Sequence, residues 1–97
     1  MIEKLEMHLP NYEVQINNSD ALINGKKIRI NDNDIINLIR IIRMWKTSYE
    51  NDNNLEKEKY YIFLKTDKEE TIFNFISNFP DDFYHLTNFL GDLYVRK

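Results

Sequence analysis

Residues 32–49, DNDIINLIRIIRMWKTSY, carry a helical repeat that leaves the chain few folds to adopt. At about 100° per residue, Ile35, Leu38, Ile39, Ile41, Ile42, Trp45 and Tyr49 fall on one broad apolar arc. Lys46 is the only charge inside it, and its stem can lie along apolar surface while the ammonium stays in water. Asn37, Arg40, Arg43, Thr47 and Ser48 lie on the other side. Asp32 reads as the N-cap and Asp34 as a first-turn acid, where exposed amides and the helix dipole favour negative charge. A helix of this length spans about 27 Å, the diameter of a small domain. The rest of the chain has to cover its arc.

The flanking segments read as strands. Tyr12, Val14 and Ile16 alternate with Glu13 and Gln15, the period of a half-buried strand. Asn24-Gly25 is a strong hairpin signal because both residues tolerate positive φ, so strands are expected over 12–17, 20–24 and 27–31, the last two as a pair or as one bent strand. Residues 1–11 are mixed and end in a Pro10-Asn11 turn. Residues 50–59 are a polar connection without periodicity. Tyr60 to Leu64 is apolar on both faces, which places it centrally in a sheet. Thr66-x-x-Glu69 and Asp67-x-x-Glu70 fit a capping box and would start a helix over 68–78. The aromatic and β-branched alternation of TIFNFIS favours a hairpin turning at 67–70 instead. Pro80-Asp81-Asp82 opens a second helix with Phe83, Leu86, Leu90 and Leu93 as its buried stripe. Gly91 costs about 1 kcal/mol in a helix interior, which puts a stop there with 93–96 extended.

Together these signals predict one α+β domain over residues 1–97: an antiparallel or mixed sheet of four to five strands with two helices on one face. A shift of 48 residues brings Tyr12, Val14 and Ile16 onto Tyr60, Ile62 and Leu64, and Ile35, Leu38 and Ile42 onto Phe83, Leu86 and Leu90. That register suggests a β-β-α unit used twice, over 12–49 and 60–97. Any two β-β-α segments share some of this spacing.

At 42% hydrophobic and 13% aromatic, the chain is not disordered despite 30% charged residues. Without cysteine it has neither disulfides nor thiolate metal ligands. MIEKLEMHLP lacks an apolar run of signal-peptide length, and no segment approaches the roughly 20 apolar residues of a membrane span. A soluble, cytoplasmic protein is expected. Thirteen Asn and thirteen Ile against one Ala point to an AT-rich genome, as in low-GC bacteria, phages and mobile elements.

Chemistry is sparse. His8 and His85 lack the i, i+3 or i, i+4 spacing of a metal pair. The three serines have no nucleophile-elbow context, and two glycines cannot form a phosphate loop. Asp81 and Asp82 are better explained as helix-start acids than as a catalytic pair. The chain is therefore read as non-enzymatic, with no cofactor and no metal. The expected activity is to occupy a surface on a larger protein, a nucleic-acid-handling one among the candidates, in the inhibitory or accessory manner of anti-defence or immunity factors. Residues 21–29, ALINGKKIR, resemble the start of ribonuclease-inhibitor immunity proteins of the barstar kind, and the helical pattern after them departs from it.

Two surfaces are candidates for that partner. One is the helix side Ile36, Arg40, Arg43, Met44 and Thr47, since Arg and Met are enriched in interfaces; the plainer reading is a solvated face. The other is the acidic set Glu50, Asp52, Glu56, Glu58, Asp67, Glu69 and Glu70, suited to a basic partner. Residues 1–49 hold seven Lys or Arg against six acids, and residues 50–97 six against ten. Neither half is as basic as a general nucleic-acid binder. A nucleic-acid alternative uses Lys26, Lys27, Arg29, Arg40, Arg43 and Lys46. A homodimer through strand 60–64 with Ile36 and Met44 is the third reading.

Overall fold

A computed structural model describes residues 2–17, 20–50 and 58–95. Its elements run β1 (Ile2–Leu9), β2 (Tyr12–Asn17), β3 (Asp20–Ile23), β4 (Lys26–Ile28), α1 (Asp32–Arg43), β5 (Ser48–Glu50), β6 (Lys59–Thr66), β7 (Glu70–Ile76) and α2 (Phe83–Tyr94). The strands form one mixed sheet in the order β4-β3-β2-β1-β6-β7-β5. Neighbours are antiparallel except β5, which lies parallel to β7. The α+β class is as expected, but seven strands exceed the four or five the sequence implied.

The two additional strands have different causes. β1 does alternate, with Leu5, Met7 and Leu9 buried, but charged residues and a histidine on its other side mask the pattern. It is the middle strand of the sheet and pairs with both β2 and β6. β5 is only three residues long, too short to show a period. It is set by its pairing with β7, which the Asn74 amide extends by donating to the Thr47 carbonyl at 2.9 Å.

The central helix is shorter than its apolar arc. It ends at Arg43 with Met44 as C-cap. Trp45 and Tyr49 still reach the core, but from a turn and from β5: the Trp45 ring meets Phe75 edge-on and Tyr49 stacks on Phe75. The cap is Asn31, not Asp32. Asn31 Oδ1 accepts from the Asp34 amide at 2.9 Å, and Asp34 Oδ2 accepts from the Asn31 amide at 3.0 Å, a reciprocal capping box.

Residues 66–70 turn β6 into β7, as the hairpin reading requires. The Thr66 hydroxyl accepts from the Lys68 and Glu69 amides at 3.2 and 3.1 Å, so a pattern that could cap a helix closes a turn. Asn24 and Gly25 take positive φ, 51° and 80°, and separate β3 from β4. α2 passes through Gly91 without stopping. A Cβ there would lie 3.2 Å from the Tyr12 hydroxyl, so the glycine makes room for β2 beneath the helix.

Both helices pack on one sheet face. Leu38 and Ile42 from α1 and Leu86, Leu90 and Leu93 from α2 are buried in one cluster with Leu5, Met7, Val14, Ile16, Ile23, Ile62 and Phe75. The other face has no second layer among the described residues. β6 is interior, yet only Tyr60, Ile62 and Leu64 face the helices, while Tyr61 and Phe63 lie on the uncovered side. Its two-sided apolarity does not signify burial on both faces. β2 and β6, where the two segments aligned by the 48-residue shift begin, flank β1 in the same direction. Their hairpins step away from it to opposite sides, so a reflection and not a rotation relates the two courses.

Replacing Asn31 with Ala should lower stability by about 1 kcal/mol. Asp32→Ala should cost no more than about 0.5 kcal/mol, the dipole contribution of an exposed acid. Urea unfolding reads both, and equal losses would return the cap to Asp32.

Candidate functional site

Four of the five residues of the helix side read from the sequence lie together on the outside of α1 and its cap. Ile36, Arg40 and Met44 lie at i, i+4 and i+8, in one row along the outside of α1 and its cap. Ile36 is 46% exposed and Met44 84%. Arg43 stands beside the row and is exposed as well. Thr47 leaves the row, because the helix has ended and its carbonyl is engaged with β7.

The acidic set divides. Asp52 and Glu56 lie outside the described residues. Glu50 is on edge strand β5 next to Ile76, and Glu58 just precedes β6. Glu58 accepts a hydrogen bond from the Tyr60 hydroxyl at 3.0 Å. That bond, with lesser contributions from burial and the carboxylate charge, holds the Tyr60 phenol above its ordinary pKa. Asp67, Glu69 and Glu70 are at the other end of β6, about 25 Å along an eight-residue strand.

The β6–β7 turn brings the two sequence-derived surfaces together. Arg43 lies 4.0 Å from Glu69. Between them runs a groove of about 340 Å³ lined by Ile39, Arg43, Thr66, Asp67, Lys68 and Glu69. The α1 ridge thus ends in a mixed-charge rim. Sequence reasoning could not join these residues, since nothing local says that α1 ends above the turn between β6 and β7.

The basic set is spread out. Lys26 lies on the helix side of β4, and Lys27 points to the uncovered face. Lys26 Nζ donates to the Tyr94 carbonyl at 2.9 Å and sits 4.8 Å from the Tyr94 ring centre. Arg29 follows β4 at the edge of the sheet. Arg40, Arg43 and Lys46 are at the far end and just beyond α1.

The uncovered sheet face takes in one side of strand 60–64, read from the sequence as a homodimer surface, together with residues of β1 and β7 that no local pattern joins to it. Across it, His8, Tyr61 and Asn74 form one row and Glu6, Phe63 and Ile72 the next. Tyr61 is 40% exposed and Ile72 51%. The signal that could have found it is the i, i+2 pair Tyr61 and Phe63, once β6 is known to be covered on one side only.

His8 is paired with Glu13 on that face, and the His85 ring lies 4.2 Å from that of Tyr84 on α2. Among the described residues no three His, Asp or Glu side chains gather as a metal site. No helix among them is long and apolar enough to cross a membrane. Compared with protein-family models, curated proteins and solved structures, the chain matches none.

The Arg43–Glu69 pair is exposed and long, so a double-mutant cycle on the two should give a coupling below about 0.5 kcal/mol, smaller still in high salt. A coupling above about 1 kcal/mol would mark the pair as structural rather than available to a partner.

Proposed function

We propose that this chain is a non-catalytic binding protein whose α1 ridge occupies a surface of a larger protein, in the manner of an inhibitory or accessory factor. The observation that carries this reading is the row Ile36–Arg40–Met44. Two large apolar side chains stand in water on either side of an arginine, on a helix whose opposite face already fills the core. Single exposed apolar residues are ordinary. A contiguous apolar–Arg–apolar strip beside a mixed-charge rim has the composition of an interface core with a polar border.

The rim also indicates the partner's chemistry. Arg43 stands against Glu69, with Asp67 close by, so the ridge offers both signs of charge. Phosphate-driven binding needs several cations on one side, and the six candidate cations are divided among the sheet edge, the uncovered face and α1. A folded protein with its own apolar cleft suits the ridge better.

Affinity capture of the tagged chain from a lysate of its natural host, with and without nuclease, tests this. A stoichiometric protein should be retained after nuclease treatment. Met44→Lys and Arg40→Glu should each weaken its capture by about tenfold or more, as interface hot spots do, with unfolding midpoints close to wild type because both sites are exposed. Recovery only of nucleic acid, lost with nuclease and weakened by salt, would overturn the reading.

A further inference from the structure

We infer that the uncovered sheet face is a self-association surface on which a second copy of this chain packs, sheet against sheet, about a two-fold axis parallel to the strands between β6 and β7. This inference stands apart from the ridge, which is on the opposite side of the molecule.

The register of the two strands carries it. On the uncovered face Phe63 is paired with Ile72, Tyr61 with Asn74 and Lys65 with Glu70. A two-fold axis lying between these strands in the plane of the interface sets each β6 residue over the β7 residue of the same row in the other copy. Phe63 then meets Ile72, Lys65 meets Glu70, and the Tyr61 hydroxyl meets the Asn74 amide. These three contacts are complementary, the fourth row sets Lys59 against Ile76 at the border, and each contact occurs twice, as an isologous interface requires. Sheets packed face to face sit about 10 Å apart with interdigitating side chains, which brings such pairs into contact. A two-fold across the strands keeps β6 over β6, so of the two axes only the one parallel to the strands sets Lys65 over Glu70.

A second copy also fits this face better than a polyanion. The two lysines flanking its apolar centre are already paired within the chain: Lys4 lies 3.0 Å from Glu6 and Lys65 lies 3.7 Å from Glu70. Glu6 stands directly beside Phe63, where a stacked base would bring its phosphate. An apolar centre ringed by internally paired charges loses little when it meets its own image.

The overlap about this axis covers β1, β6, β7 and β5. Because β5 is only three residues long and leaves most of β1 unmatched, about twenty residues, each about 4.8 by 3.3 Å, give roughly 300 Å² of flat area per copy. Stable interfaces bury about 800 Å² per partner, so the dimer should be weak and reversible.

Sedimentation velocity from low-micromolar to millimolar concentration tests the inference. The mass should rise with concentration from 11.8 kDa toward twice that value. Ile72→Lys should weaken association at least about tenfold. Lys65→Glu should also weaken it, and the swap Lys65→Glu with Glu70→Lys should restore it. The swap preserves the pair within each chain, so it carries the test even if Ile72→Lys folds poorly. Met44→Lys should leave association unchanged, which separates this surface from the ridge. A wild-type chain that stays at one copy at millimolar concentration would overturn the inference. So would a dimer indifferent to Ile72→Lys and to the Lys65 and Glu70 changes, or saturable binding of a single-stranded oligonucleotide to this face by the monomer.

Discussion

Two helices of twelve residues each have to keep one face of a seven-stranded sheet dry, and the architecture follows from that demand. Seven strands span about 34 Å and a twelve-residue helix about 18 Å, so neither helix covers the sheet alone. α1 starts beyond β4 and ends above the β6–β7 turn, while α2 starts after β7 and ends at β4, where Lys26 holds the Tyr94 carbonyl. The remaining corner is closed by aromatic rings. Phe79 and Phe83 are 4.4 Å apart, and Trp45 meets both Phe75 and Phe83. The Trp45 indole donates to Asp82 at 2.8 Å, tying the end of α1 to the start of α2. Asp82 stands at the N-cap without capping its own helix because its carboxylate serves that junction.

With both helices on one side, no described residue covers the other side of the sheet, and the outer surface of α1 is unneeded for the core. Large apolar groups remain exposed in both places for that reason, as Tyr84, Tyr94 and Val95 do at α2. Ile36 and Met44 sit on the back of a helix whose front is full. Tyr61 and Ile72 sit on a sheet with no second layer among the described residues. A dimer joined through its sheets would turn both α1 ridges outward. A partner with two copies of its target surface would then be held by two weak contacts at high effective concentration.

Periodic segments were legible in the sequence and endings were not. The apolar arc of 35–49 identifies the core side of α1 correctly, because Ile35, Leu38, Ile42 and Trp45 are all buried. It cannot show where the helix stops, since Trp45 and Tyr49 stay buried after the backbone has left the helix. Asn31 and Asp32 are both good caps, and only the reciprocal bonds with Asp34 decide between them. β1 was obscured by its charged outer residues and β5 by its length. Tyr61 and Phe63 misled in a different way: apolar residues on both sides of a strand do not by themselves put a second layer of the same chain over each. The meeting of Arg43 with Glu69 depends on tertiary packing, so no local pattern announces it.

The most direct test of this account is methyl NMR with a soluble paramagnetic probe, at micromolar and at millimolar protein. In dilute solution the Ile36, Met44 and Ile72 methyls should be strongly broadened, while those of Ile62 and Leu64 should not. At high concentration Ile72 should become protected and Met44 should remain broadened, as expected if the sheet pairs and the ridge stays free. Protection of Ile72 in dilute solution, or protection of Met44 with Ile72 still broadened, would contradict the account.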